Sequence, residues 1–139
     1  MQHPQHLLKK PTTPVKNVFE YAIIRVVPRV EREEFINVGV ILFCKTTKFL
    51  QSIIKVDDDR LAAFANGLDI AEVKANLHAF AEITKGNTTC GPIAALDEAS
   101  RFRWLTATRS TVVQASKVHP GLSADCEKTL QRLFAEMVA

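Results

Sequence analysis

The sequence predicts an α+β fold: an antiparallel sheet of three meander strands plus one late strand, with helices packed on one face. Three observations lead there. Strand-forming residues concentrate before residue 57, the apolar period changes from two to 3.6 after it, and the first connections are short. Gaps of about two to eight residues suit antiparallel neighbours rather than parallel crossovers.

Phe19 to Val27, Ile36 to Cys44 and Phe49 to Val56 are dense in Val, Ile, Phe and Tyr, the residues that fit a pleated, half-buried surface. Pro28, the Lys45-Thr46-Thr47 turn and the Asp57 to Asp59 cluster bound them. The first two are apolar on both faces, as central strands are, whereas Gln51, Ser52 and Lys55 give the third an edge character. Asp59 to Ala65 reads as a short helix started by the aspartates and stopped by Asn66-Gly67. Asp69, with Glu72 three residues on, caps a longer helix whose stripe is Ile70, Val73, Leu77, Phe80 and Ala81, and Gly86 stops it. A loop at 87–95, one or two helical turns over Asp97 to Arg103, and a fourth strand over Ser110 to Ser116 follow. His119-Pro-Gly121 reads as a turn, after which Ser123 caps a last helix with Cys126, Leu130, Leu133, Phe134 and Met137 at helical spacing.

The 139 residues suit one domain. Residues 1–17, rich in Gln, His, Pro, Thr and Lys, are expected to form a flexible basic arm, with a single α+β domain over 18–139. The net charge of +3 is already supplied by Lys9, Lys10 and Lys16; from Glu20 onward 15 basic residues face 15 acidic ones. The folded part is therefore neutral, which weakens a nucleic-acid interpretation of the pI of about 8.9. Cys44, Cys90 and Cys126 form neither a Cys-x-x-Cys pair nor a metal spacing with histidine. A reduced, cytoplasmic setting is expected, with no cofactor and no metal. The longest apolar stretch, Val38 to Cys44, is far below the ~20 residues that cross a bilayer, and no leader or anchor is expected in Met1 to Pro14.

Polar chemistry is concentrated in the connector between the first two strands. Arg25 interrupts the first strand, Arg29, Arg32, Glu33 and Glu34 fill the connector, and Asn37 with Gly39 opens the second. Guanidinium groups bind carboxylates and phosphates, and a glutamate accepts a proton, but an exposed turn with internally paired charges accounts for the same residues. Arg25 in so apolar a strand requires a carboxylate or a ligand if it is buried, and Glu33 or Glu34 is the expected partner. Asn37 and Gly39 suit a bulge or a close backbone approach.

Farther on, Arg101, Arg103 and Arg109 stand with Phe102 and Trp104 in a stretch without acids between Glu98 and Asp125. Cations interleaved with aromatics suit single-stranded nucleic acid, while Phe102 and Trp104 placed together in the core suit packing. Ser110, Thr111 and His119 lack any nucleophile-elbow context, the three aspartates at 57–59 serve a helix start as well as a magnesium ion, and no glycine-rich phosphate loop occurs.

In Tyr21-Ala-Ile-Ile-Arg-Val-Val-Pro28, Arg32-Glu-Glu-Phe-Ile-Asn-Val-Gly-Val-Ile-Leu-Phe43, Arg101-Phe-Arg-Trp104, Ser110-Thr-Val-Val-Gln114 and His119-x-Gly121, the chain resembles the bacterial domain-of-unknown-function family numbered 3037. The resemblance runs from about Phe19 to Val138. It implies no activity, but it implies a genetic setting beside kinases similar to HipA, the serine/threonine kinase of toxin-antitoxin systems. A protein-binding accessory or neutraliser of such a kinase is the leading expectation, docking through the connector or the Arg-Phe-Arg-Trp region. The alternatives are a nucleic-acid-binding protein using Arg101, Arg103, Trp104 and Arg109, and a phosphate-handling enzyme built on Arg25, Arg32, Glu33 and His119. The catalytic residues and the oligomeric state are left open.

Overall fold

In the computed structural model, the described residues are 15–28, 34–64, 67–107 and 111–138. They form five strands, β1 (Asn17–Val26), β2 (Ile36–Cys44), β3 (Phe49–Ile54), β4 (Val113–Ala115) and β5 (His119–Ser123), and four α-helices, α1 (Asp58–Phe64), α2 (Ile70–Lys85), α3 (Glu98–Thr106) and α4 (Cys126–Met137). The fold is α+β. β1 begins at Asn17, paired with Ser123, one residue inside the stretch expected as an arm.

The meander runs as expected, in the order β3-β2-β1, and all pairings are antiparallel. The far side of β1 carries two strands end to end: β4 on Ile24–Val26 and β5 on Asn17–Tyr21. Ser116 joins them. Its amide donates to the Ile23 carbonyl at 2.8 Å, and its hydroxyl oxygen accepts the Ile23 amide at 2.8 Å, so a side chain fills a rung of the ladder. Between the Ala115–Ile24 and His119–Tyr21 pairs the β4–β5 segment has one residue more than β1, which is a bulge.

β5 corrects two expectations. His119-Pro-Gly121 is strand, not turn, because an outer strand tolerates Pro120 without an amide donor. Gly121 lies under the Phe19 ring, where an added Cβ would come within 2.5 Å of the ring. The helix that follows is capped by Asp125, whose carboxylate accepts the Lys128 amide at 3.1 Å. Ser123, the expected cap, ends β5 and accepts the Asp125 amide at 3.0 Å.

Helices cover both faces of the sheet, not one. Ala22, Ile24, Val26 and Phe43 pack with Leu61, with Val73, Leu77, Phe80 and Ile83 of α2 and with Phe102, while Phe19, Ile23, Val40, Leu42 and Cys44 pack with Cys126, Leu130 and Leu133 of α4. Strands apolar on both sides require cover on both sides, since an uncovered face would leave large apolar area in water.

α2 ends as its glycine foretells. Gly86 takes φ 79°, and its amide and that of Asn87 bond the Ile83 and Glu82 carbonyls at 3.0 Å each. The segment expected as loop holds two short 3₁₀ turns, Thr88–Cys90 and Pro92–Ala95.

α3 is capped by Asp97, and the hydroxyl and amide of Ser100 hold this carboxyl below its ordinary value. A carboxyl depressed on folding stabilises the fold above its unfolded pKa and loses that contribution as pH falls through the folded value. Asp97→Asn is therefore expected to destabilise at neutral pH by a margin that shrinks on acidification below 3.8. Urea midpoints of both proteins at roughly pH 7 and pH 3 check this; a margin independent of pH would contradict it.

Candidate functional site

The expected site residues divide between the two faces. At the pole where the β1–β2 connector lies, Arg25 stands opposite Asn37 on one side and Gln114 on the other, so β1, β2 and β4 bring three polar residues into one row. The β1–β2 register shifts between Ile24 and Arg25, as the Asn-Val-Gly segment led us to expect. Gly39 is needed there: a Cβ would meet the Ile53 carbonyl oxygen at 2.6 Å.

Asn37 works structurally. Its amide Nδ2 donates to the Met137 carbonyl at 3.1 Å and so holds the last turn of α4, which leaves carbonyls unsatisfied within the helix. Of the two expected partners of Arg25, Glu34 makes contacts of its own; the Arg25 guanidinium lies 4.0 Å from the centroid of Phe35, a cation–π contact. The other expected partner, Glu33, lies outside the described residues with Arg29 and Arg32. Burial lowers the Arg25 pKa from its ordinary value without threatening its charge. Arg25 Nε and Asn37 Oδ1, on facing residues, are each buried without a hydrogen-bond partner. Being shut off from solvent, neither atom reaches a ligand unless its side chain turns.

The Arg-Phe-Arg-Trp block belongs to α3, on the other face, and most of it is committed to the fold. Arg103 makes a bidentate pair with Glu20 of β1 at 2.7 and 3.0 Å, and that hydrogen bonding raises its pKa. Arg101 donates from Nη1 to the Leu96 carbonyl at 2.6 Å and from Nη2 to the Thr84 carbonyl at 3.4 Å, binding the end of α2 to the segment before α3. Phe102 is fully buried and stacks on Phe43 at 5.3 Å. Trp104 does not share its side: at 40% exposure it lines a groove, because helical geometry puts residues 102 and 105, not 102 and 104, on one face. Arg109 lies outside the described residues.

That groove, about 220 Å³, runs between α2, α3 and β4 and is lined by Ala79, Phe80, Ile83, Trp104 and Val113 among others. β4 has β1 on one side and, among the described residues, no strand on the other. His119 is separate from all of these. It is exposed, facing Tyr21 across the strands with ring centroids 5.3 Å apart. Arg25 lies four residues farther along β1, roughly 13 Å at strand rise, so Arg25 and His119 do not converge on one substrate.

A family model described as "Protein of unknown function (DUF3037)" matches residues 21–138. The chain belongs to this family. No curated protein and no solved structure matches it. The DUF3037 segment starts inside β1 and runs to the end of α4, so it takes in Arg25, Asn37, the Arg-Phe-Arg-Trp block and His119 but begins one residue after Glu20.

Within the DUF3037 segment, sequence reasoning missed a second pocket. About 200 Å³ in volume, it lies beside Asn37 and is lined by Lys55, Asp57, Arg60 and Val138. Its charges carry a faint signal, the cluster after β3, which reads first as a helix start. Asp57 does accept the Arg60 amide at 3.1 Å, and Asp58 pairs with Lys74 at 2.8 Å. Among the described residues no group of acids, histidines and cysteines could hold a metal ion, and no helix is long and apolar enough to cross a membrane.

Proposed function

We propose that this protein works by binding another protein in the groove between α2, α3 and β4, and that the partner is a serine/threonine kinase similar to HipA. The groove beside a strand edge that has no strand partner among the described residues carries the proposal: an extended segment can add to β4 through its backbone and place side chains against Phe80, Ile83 and Trp104. The kinase comes from the genetic setting that the family resemblance implies, with a neutralising or accessory role. Nucleic acid is the weaker reading, because Arg103 is neutralised by Glu20 and Arg101 is turned toward carbonyls.

Calorimetric titration with the kinase encoded beside the protein tests this. Ala79 is exposed on the groove rim, and Ala79→Arg is expected to weaken binding by about tenfold or more with stability unchanged. Equal binding by both proteins, or none by either, would count against the groove. Submicromolar, salt-sensitive binding to single-stranded oligonucleotides would put nucleic acid first.

A further inference from the structure

The groove and the polar row of Arg25, Asn37 and Gln114 lie on opposite faces of the sheet, and β4 is where they meet. The bonds on its β1 side fix the arrangement. The Val27 amide donates to the Val112 carbonyl at 2.6 Å and the Ser116 amide to the Ile23 carbonyl at 2.8 Å, so residues 112, 114 and 116 turn their backbone groups to β1. Val113 and Ala115, between them, turn theirs to the edge that has no strand partner among the described residues. Their side chains line the groove and pack with the α2 cluster, whereas Gln114 alternates to the other face, beside Arg25.

We propose that this edge selects an extended segment in which one acidic residue stands between two apolar ones. The inference rests on the binding role of the groove and names what the partner must present there. A strand laid on β4 puts the residues opposite Val113 and Ala115 over the groove, against Phe80, Ile83 and Trp104, and turns the residue opposite Gln114 to the polar row. A helix seated in the groove would meet its apolar walls and leave the row behind the strand untouched. The Val113 carbonyl already accepts the Thr111 hydroxyl at 2.7 Å, which leaves the Val113 amide and the amide and carbonyl of Ala115 for the incoming backbone.

An acid suits the row. Gln114 Nε2 donates one hydrogen to the Thr111 carbonyl at 2.7 Å and has a second to offer a carboxylate. In an antiparallel addition Gln114 and the residue opposite form a non-hydrogen-bonded pair, with Cα atoms about 4.5 Å apart, close enough for that bond. Arg25, one strand farther in, brings a positive charge, its guanidinium 4.0 Å from the Phe35 ring centroid and its Nε buried without a partner. Its Cα is two strand spacings, about 9.5 Å, from that of the incoming residue, within a Debye length at ordinary salt. A carboxylate in the middle of the segment is therefore attracted and an ammonium repelled, while the apolar neighbours are the same for both.

Three capped pentapeptides test this: Ser-Val-Glu-Val-Ser and its counterparts with Gln or Lys at the centre, each titrated into the isotope-labelled full chain and followed by its amide resonances. The amides of Val113 and Ala115 should shift, and the glutamate peptide should bind about tenfold more tightly than the lysine peptide at low salt, with the glutamine peptide between. Raising the salt should shrink that ratio, and so should Arg25→Gln, with the same two amides still shifting. Equal affinities for the three peptides, with Val113 and Ala115 shifted, would overturn the acidic preference and leave the groove reading standing. Tighter binding of the lysine peptide, or shifts that miss these two amides at millimolar peptide, would also overturn the inference, and the Ala79→Arg comparison with the kinase would then decide the groove by itself.

Discussion

Phe102→Ala is expected to lower the free energy of unfolding by about 3–5 kcal/mol, the usual cost of emptying a filled aromatic site. Phe102 is fully buried, stacks on Phe43 and, with Leu105, packs α3 into the core under the sheet. Loss of its ring would leave a cavity between β2 and α3 that a helix of nine residues, fixed at the next position by the Arg103–Glu20 pair, closes poorly. Urea denaturation gives the result directly: the midpoint should fall with an unchanged slope. A loss below about 1 kcal/mol would mean that α3 packs elsewhere in solution.

Gly39→Ala should be nearly as damaging, at about 1–3 kcal/mol, although it adds a single methyl group. The new Cβ would lie 2.6 Å from the Ile53 carbonyl oxygen and 3.0 Å from an Ile54 side-chain carbon. The first of these is backbone in the β2–β3 ladder, so it cannot rotate away; β3 must shift. Thermal melting measures the loss, and hydrogen exchange should localise it to the amides of β3. Full stability in the variant would show that the β2 bulge is looser than its contacts imply.

Much of the scaffold is legible because local chemistry decides it. The apolar runs of β1 to β3, the Asp69 cap and the Gly86 stop each follow from residues within a few positions, and each forms where expected. What is illegible depends on distant partners. His119-Pro-Gly121 has turn chemistry, and its pairing with Phe19 to Tyr21, about a hundred positions earlier, makes it strand, with the Phe19 ring lying over Gly121. Arg103 has the composition of a basic patch until Glu20 is brought to it, 83 positions away. The covering of both faces was accessible in principle, since β1 and β2 are apolar on both; the order of elements along the chain suggested one face and misled. Of the site residues, Asn37 and Gly39 were legible as makers of a bulge, but the tie from Asn37 to the end of α4 spans 100 positions.

β1 is hydrogen-bonded on one side by the strand that follows it and on the other by β4 and β5, which lie beyond residue 112. During synthesis, therefore, the meander can assemble while one whole edge of its central strand is bare, and that edge stays bare until most of the chain has been made. Contacts of such long sequence separation slow folding, and an unfilled edge of apolar strand is a template for the same strand of another copy. The sheet thus closes last at its middle, not at its rim, and a nascent or truncated chain ending before β4 carries an open seam beside its own core.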